Sequence, residues 1–314
     1  MNSVYVAGHT GLVGSALYRR FSSRPGLRLI TATRSELELT DASQVENFIR
    51  RERPEAVVLS AGRVGGILAN STKPAEFVLQ NLRIEANLID GAWKAGVKRL
   101  LNFGSSCMYP KETAQPMHVE QLGTGLMEPT SEPYAIAKWA GMVMCSAYTR
   151  QYGVSYVTAI PATVYGPGDN FDPNEGHVLS ALINKFHQAK EKSKSDVALW
   201  GSGKPKREFL YVDDLAEACE LLLEKYDGLE PINIGSGQVC SIEELAQKVA
   251  DLVSFQGRIV FASSHETLAE TDGAPNKQLE SSPIGKLGWS ARTTLETGLA
   301  RTYEWFLITQ GAHV

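Results

Sequence analysis

Short apolar runs alternating with longer stretches of helical periodicity dominate the first half of the chain. Ser3 to Ala7 is an apolar run that stops at Gly8-His9-Thr10-Gly11-Leu12-Val13-Gly14, and Ser15 to Phe21 then has helical spacing. Further runs occupy Leu27 to Thr31, Glu55 to Ser60, Lys98 to Phe103 and Ser155 to Ile160. Phe77 to Ala95 carries Leu82, Leu88, Ile89 and Trp93 at helical intervals, and a second long helix is expected over Tyr134 to Gln151. Buried strands bounded by turns and alternating with helices predict an α/β fold, a doubly wound parallel sheet with right-handed crossovers. In such sheets ligands bind beyond the carboxyl ends of the strands.

The alternation weakens after about residue 165. Asn170 to His177 is a polar loop, Val178 to Lys190 reads as a helix, and Val197 to Tyr211 contains Trp200-Gly201-Ser202-Gly203-Lys204-Pro205-Lys206-Arg207-Glu208-Phe209. Short strands and helices follow, including Ser241 to Leu252 and Thr293 to Phe306. The expected division is a nucleotide-binding unit over 1–165, with strand contributions from about 205–240, and a smaller C-terminal α/β substrate lobe over 166–314.

Composition narrows the classes. The 314 residues are 43% hydrophobic and 21% charged, with a formal net charge of −4, so no basic footprint for nucleic acid is present. No apolar run approaches the roughly 20 residues that span a bilayer. Met1 leads almost directly into the first strand without a secretory signal, and the four cysteines, Cys107, Cys145, Cys219 and Cys240, are widely spaced. Reduced thiols, a cytoplasmic location and no metal site are the expectation.

Five features carry candidate chemistry. The glycines of the first strand-to-helix turn are spaced GxxGxxG, which permits a tight turn, close approach of backbone to a phosphate and close helix packing. Arg34 follows the second strand, where a cation suits the extra phosphate of NADP. Tyr134 and Lys138 are four residues apart near the start of a helix, so an ammonium can lie beneath a phenol and favour its ionised form. Gly104-Ser105-Ser106-Cys107-Met108-Tyr109-Pro110 and Pro161-Ala162-Thr163-Val164-Tyr165-Gly166-Pro167 follow the fourth and fifth strands and therefore fall at the same crevice.

Ser105, Tyr134 and Lys138, together with the glycine turn, resemble the extended short-chain dehydrogenase/reductase family, which has a Rossmann-type sheet. Within it, Ser-Ser-Cys-Met-Tyr-Pro-Lys at 105–111, Glu-Pro-Tyr-Ala-Ile-Ala-Lys at 132–138, Tyr-Gly-Pro-x-Asp-Asn-Phe at 165–171 and Trp-Gly-Ser-Gly-x-Pro-x-Arg-Glu-Phe at 200–209 are similar to the GDP-L-fucose synthase family. The resemblance implies an NADPH-dependent 3,5-epimerase and 4-reductase acting on GDP-4-keto-6-deoxy-D-mannose. It implies catalytic roles for Ser105, Cys107, Tyr134, Lys138 and His177. Cys107 and His177 would share acid/base work at C3 and C5. Tyr134 and Ser105 would donate hydrogen bonds to the C4 oxygen, and Lys138 would hold the nicotinamide ribose and lower the phenol pKa.

The same resemblance implies NADP(H) contacts from Gly8, Thr10, Gly11, Leu12, Val13, Gly14, Arg34, Asp41, Ala61, Gly62, Ser105, Lys138, Pro161, Val164 and His177. Ser106, Val178, Leu182, Lys185, Trp200, Arg207 and Lys277 would bind the GDP-sugar. A homodimer through the long helices Phe77 to Ala95 and Tyr134 to Gln151 is the family's expected assembly. Thr10, Thr163 and Lys185 depart from the family's usual arginine, asparagine and arginine. These departures keep other readings in view: the same chemistry on a GDP-colitose or GDP-heptose pathway sugar, a non-redox nucleotide-sugar epimerase, or a non-catalytic NADP-binding regulatory module.

Overall fold

The computed structural model describes residues 1–261 and 272–311. The chain runs β1 (Ser3–Ala7), α1 (Leu12–Ser22), β2 (Arg28–Ile30), α2 (Ala42–Glu52), β3 (Ala56–Leu59), α3 (Ile67–Thr72), α4 (Pro74–Lys94), β4 (Arg99–Phe103), α5 (Glu132–Tyr152), β5 (Ser155–Pro161) and β6 (Thr163–Tyr165). It continues through α6 (Val178–Glu191), β7 (Asp196–Leu199), β8 (Lys206–Tyr211), α7 (Val212–Lys225), β9 (Ile232–Ile234), β10 (Val239–Ser241), α8 (Ile242–Val253), β11 (Arg258–Phe261) and β12 (Asn276–Lys277). A short helix, Ser282–Lys286, and a closing helix, Leu295–Gly311, complete the described chain.

Six strands form one parallel sheet in the order β2-β1-β3-β4-β5-β9. Its inner strands β1, β3, β4 and β5 are mostly apolar and buried because both faces are covered. In β1, Val4 and Val6 face a core with Leu17 and Phe21 of α1 and Leu215 and Leu222 of α7. Tyr5 and Ala7 face the opposite core, with Val45 and Ile49 of α2 and Leu88 and Ile89 of α4. The chain passes from β1 to β2 on one side and then to β3 on the other, so the strand order reverses at β1. The crevice at such a reversal, beyond the carboxyl ends of β1 and β3, is where this sheet class takes its ligand.

A second core gathers Leu182, Ile183 and Phe186 of α6, Phe209 of β8, Leu245 and Val249 of α8, and Phe306 of the closing helix. Here β8 is the centre of a small sheet, with β10 antiparallel on one side, β12 parallel on the other and β6 parallel at its far end. The stretch Val197 to Tyr211, read as one segment, divides into β7, which pairs with β11, and β8. Of the strands within 205–240, only β9 joins the six-stranded sheet. α2, α3 and α7 were not expected from the sequence. α7 starts at the residue after β8, with Asp213 and Asp214 in its first turn, and no turn residues separate it from the strand.

Buried polar side chains join the two cores. The Asn233 amide donates to the carbonyls of Met117 at 2.9 Å and Glu280 at 3.1 Å, and accepts from the Tyr109 hydroxyl at 2.7 Å. The Glu208 carboxylate accepts from the backbone of Gly237 at 2.6 Å and Leu279 at 2.7 Å. A buried carboxylate satisfied by backbone N–H groups fixes the chain segments that supply them.

Candidate active site

The first glycine turn is closed at two positions and open at one. Gly8 has φ +85°, and a Cβ there would stand 2.7 Å from the Ala61 backbone at the end of β3. A Cβ on Gly14 would stand 1.9 Å from the Gly8 carbonyl, so α1 packs directly on the turn. Gly11 meets nothing nearer than 3.7 Å. Gly11 is also the N-cap of α1 and has no side-chain cap, which leaves the first backbone N–H groups of the helix, including those of Leu12 and Val13, for an anion. The cradle therefore fits a dinucleotide pyrophosphate. Ala61 and Gly62, after β3, line the other wall; a Cβ on Gly62 would stand 2.9 Å from the Asn81 amide oxygen. Asn81 is a buried residue of α4 that sequence reasoning missed. It accepts from the Arg63 N–H at 2.8 Å and donates to the Arg63 carbonyl at 3.0 Å, which pins this loop. A lone asparagine on the buried face of a helix was its signal in the sequence.

The adenosine end is less complete. Thr10 is exposed beside the turn. Arg34 is exposed too, and its guanidinium pairs with Glu38 at 3.0 Å. Asp41, expected at the cofactor, is the N-cap of α2: it accepts from the Gln44 backbone and side chain, both at 3.0 Å. Its carboxylate is occupied with helix capping.

Beyond β4, Ser105 caps the short turn Ser106–Met108, accepting from the Cys107 N–H at 3.2 Å, and so sets the direction of the Cys107 side chain. Tyr134 and Lys138 sit in the first turns of α5. The expected phenol–ammonium relation is corrected here. Lys138 is 4% exposed and donates to Glu85 of α4 at 2.6 Å, and Glu85 is itself 2% exposed. Burial and the neighbouring Cys107 and Glu85 charges push the Tyr134 phenol upward, against a smaller pull from a Ser105 hydrogen bond. With Lys138 matched by a carboxylate, Tyr134 is a protonated donor in this environment. Glu85 lies far from Lys138 in sequence, and no local spacing announces it.

Two further groups are displaced in opposite senses. Burial disfavours the Cys107 thiolate, but the Lys277 charge and hydrogen bonds from Ser105, Ser131 and Lys277 outweigh it, and the thiol titrates below its usual value. Lys277 donates to Cys107 Sγ at 3.4 Å. His177, the N-cap residue of α6, faces the same cleft. Burial disfavours its imidazolium, while the Asp169 hydrogen bond and charge, and the Cys107 charge, raise its pKa above the ordinary value. Its Nδ1 lies 3.3 Å from Asp169, a buried carboxylate that also accepts from Ser180 and from the Asn170 N–H at 2.8 Å. Asp169 stands in the Tyr-Gly-Pro-x-Asp motif, and the motif by itself gives it no role.

The outer part of the cleft comes from the second core. Val178 and Leu182 lie on the packed side of α6. Lys185 stands over the Trp200 ring at 4.4 Å, and Trp200 is 51% exposed, so it presents a free aromatic face. Arg207, on β8, donates to the Lys206 carbonyl at 2.8 Å and the Asp272 carbonyl at 3.0 Å. Pro161 ends β5 and Val164 lies in β6, at the mouth between the two cores. Ser106 is half-buried beside Cys107. Of the expected site residues, Arg34 and Asp41 are engaged elsewhere, and Lys277 stands at the thiol.

The model of the NAD dependent epimerase/dehydratase family matches residues 4–235. The GDP-L-fucose synthase of Sinorhizobium fredii is 49% identical over 97% of this chain and 95% of its own. That of Escherichia coli is 46% identical over 98% of this chain and 97% of its own. Among solved structures, a GDP-mannoheptose C4 reductase from Campylobacter jejuni with NADP bound superposes with a TM-score of 0.87 at 33% identity, covering 98% of both chains. The reversal of strand order, the open glycine cradle and the Ser105, Tyr134 and Lys138 cluster agree with these likenesses, and the chain belongs to the NAD dependent epimerase/dehydratase family, within its GDP-L-fucose synthase group.

Proposed function

We propose that this protein catalyses the NADPH-dependent 3,5-epimerisation and 4-reduction of GDP-4-keto-6-deoxy-D-mannose to GDP-L-fucose. The observation that carries this reading is one cleft in which Lys277 donates to Cys107 Sγ at 3.4 Å and Asp169 lies 3.3 Å from His177 Nδ1, contacts that favour thiolate and imidazolium beside the Tyr134 phenol. A C4 ketone acidifies the protons on C3 and C5. Cys107, as thiolate, removes a proton from one face, and His177, as imidazolium, returns one to the other. Ser105 and Tyr134 hold the developing charge on the C4 oxygen by hydrogen bonds. NADPH, when bound, supplies the hydride to C4. Tyr134, protonated in this environment, then gives its proton to that oxygen. Gly8, Gly11, Leu12, Val13, Gly14, Ala61, Gly62, Lys138, Pro161 and Val164 would hold the cofactor, with Arg34 turning from Glu38 to its 2′-phosphate.

Trp200, Lys185 and Arg207 are assigned to the GDP moiety, the ring against the base and the guanidinium toward the pyrophosphate. No described helix is long and apolar enough to cross a membrane. The test supplies NADPH and GDP-4-keto-6-deoxy-D-mannose to purified protein, follows loss of reduced-nicotinamide absorbance and identifies the sugar. GDP-L-fucose is the expected product. The likeness to the mannoheptose reductase, together with Lys185 and Thr163, favours one second reading: the same chemistry on a GDP-4-keto-heptose. Turnover of that sugar alone would install it instead.

A further inference from the structure

We propose that Lys277 is a positioning residue for Cys107: its ammonium keeps the sulfur ionised, so that the base of the epimerisation step is a lysine–thiolate ion pair. This rests on the function proposed above and departs from the expectation that Lys277 serves the GDP end.

The sheet geometry is the first argument. β12 is two residues long and pairs in parallel with β8, with Asn276 opposite Lys206 and Lys277 opposite Arg207. The pairing therefore sets two cations side by side, an arrangement that is unfavourable unless an anion is shared between them. Among the described residues neither forms an ion pair with a carboxylate. Arg207 donates to carbonyl oxygens, and Lys277 donates to Cys107 Sγ at 3.4 Å. The Asp272 and Glu128 charges act on Arg207 along with that of Cys107, and two further anions can be shared at the cleft, the thiolate and the pyrophosphate of a GDP-sugar. The contact assigns the thiolate to Lys277 and leaves the pyrophosphate to Arg207.

The surroundings of the sulfur support the same assignment. Lys277 and Arg207 face it from the small sheet, His177 from the loop before α6 and Tyr134 from α5. The Ser105 and Ser131 hydroxyls also favour the ionised sulfur. No carboxylate among the described residues contacts it. Burial alone would return the sulfur to a thiol, and Lys277 is the leading influence that opposes this.

The step balances without further reactants. The thiolate takes a proton from the carbon beside the ketone, forming S–H, while the C–H electron pair moves into a carbon–carbon double bond and places negative charge on the C4 oxygen. His177 protonates the carbon from the other face, which regenerates the ketone and leaves thiol and neutral imidazole. Passage of the thiol proton to His177 through solvent restores the pair. Lys277 keeps its charge throughout.

The experiment measures alkylation of Cys107 by iodoacetamide across pH, located by peptide mass spectrometry, in the NADPH-loaded protein and in Lys277→Met and Lys277→Arg. The unmodified protein should reach half its maximal rate well below the free-thiol value of about 8.5. Lys277→Met should move that midpoint upward by roughly one to three pH units. Lys277→Arg should restore most of it. Solvent deuterium entry at C3 and C5 should fall with Lys277→Met at neutral pH and recover in alkaline buffer. An unchanged alkylation profile in Lys277→Met, with only a raised KM for the GDP-sugar, would overturn the proposal. Should Lys277→Met fail to fold, a wild-type midpoint at or above about 8.5 overturns it just as well. A shifted profile in a protein that turns over no GDP-keto sugar would leave the ion pair standing and remove the function proposed above.

Discussion

Cys107 and His177 are ordinary residues whose charged forms burial disfavours and one charged neighbour each does most to restore. Asp169 stabilises the His177 imidazolium, and Lys277 stabilises the Cys107 thiolate. Epimerisation needs both charged forms, so its pH profile rises as Cys107 loses a proton and falls as His177 loses one. The sign for His177 follows directly: its pKa is raised, so the acid form persists to higher pH than in free histidine. Asp169→Asn removes the charge that raises it. The falling limb should then move toward acid by roughly one pH unit or more, while KM for the GDP-sugar stays near the wild-type value. Deuterium entry at C3 and C5 measured across pH checks this. The two limbs belong to a coupled pair, and the direction in which the falling limb moves is the diagnostic. A falling limb that stays in place would mean that Asp169 only anchors the loop.

At the scale of elements, the seam between α4 and α5 is what places the phenol. α5 turns Ala135, Ala137, Lys138, Gly141 and Cys145 inward. Gly141 lets the Glu85 carboxylate lie against the helix, since a Cβ there would come within 1.6 Å of Glu85 Oε2 and 3.1 Å of the Asn102 amide. Gly141→Ala must therefore displace the carboxylate that holds Lys138. The expected cost is about 1–3 kcal/mol of stability, read from urea unfolding. A midpoint unchanged by the substitution would show that Glu85 can turn aside without loss. Both helices were legible as helices, because periodicity is a local property, although the first begins at Pro74, three residues before the expected Phe77. Which residues face across the seam was not. The pairing of Glu85 with Lys138 depends on how two helices pack, and neither residue's own surroundings in the chain encode it.

At the scale of the molecule, the outer faces of α4 and α5 carry half-exposed Leu79, Ile136 and Val143, and we expect the homodimer there. Light scattering should give the mass of two chains, and Val143→Glu should lower it to one, since a charge inside an apolar interface has no partner. A single-chain mass for the unaltered protein would remove this assembly. Closure of the cleft is a property of the molecule as a whole as well. Asn233 and Glu208 tie β9, β8 and the segment after β12 into one unit, and that unit carries Lys277 to Cys107, 170 residues away in the chain. The alternation of strands and helices, the GxxGxxG spacing and the Tyr134 and Lys138 spacing were determined by the sequence alone, because each is a local pattern within one strand, turn or helix. Folding alone decided that Lys138 answers to Glu85 and that Lys277 stands at the thiol. Those relations join segments brought together by sheet pairing and helix packing, and the charge state of a buried group follows from the neighbours so assembled.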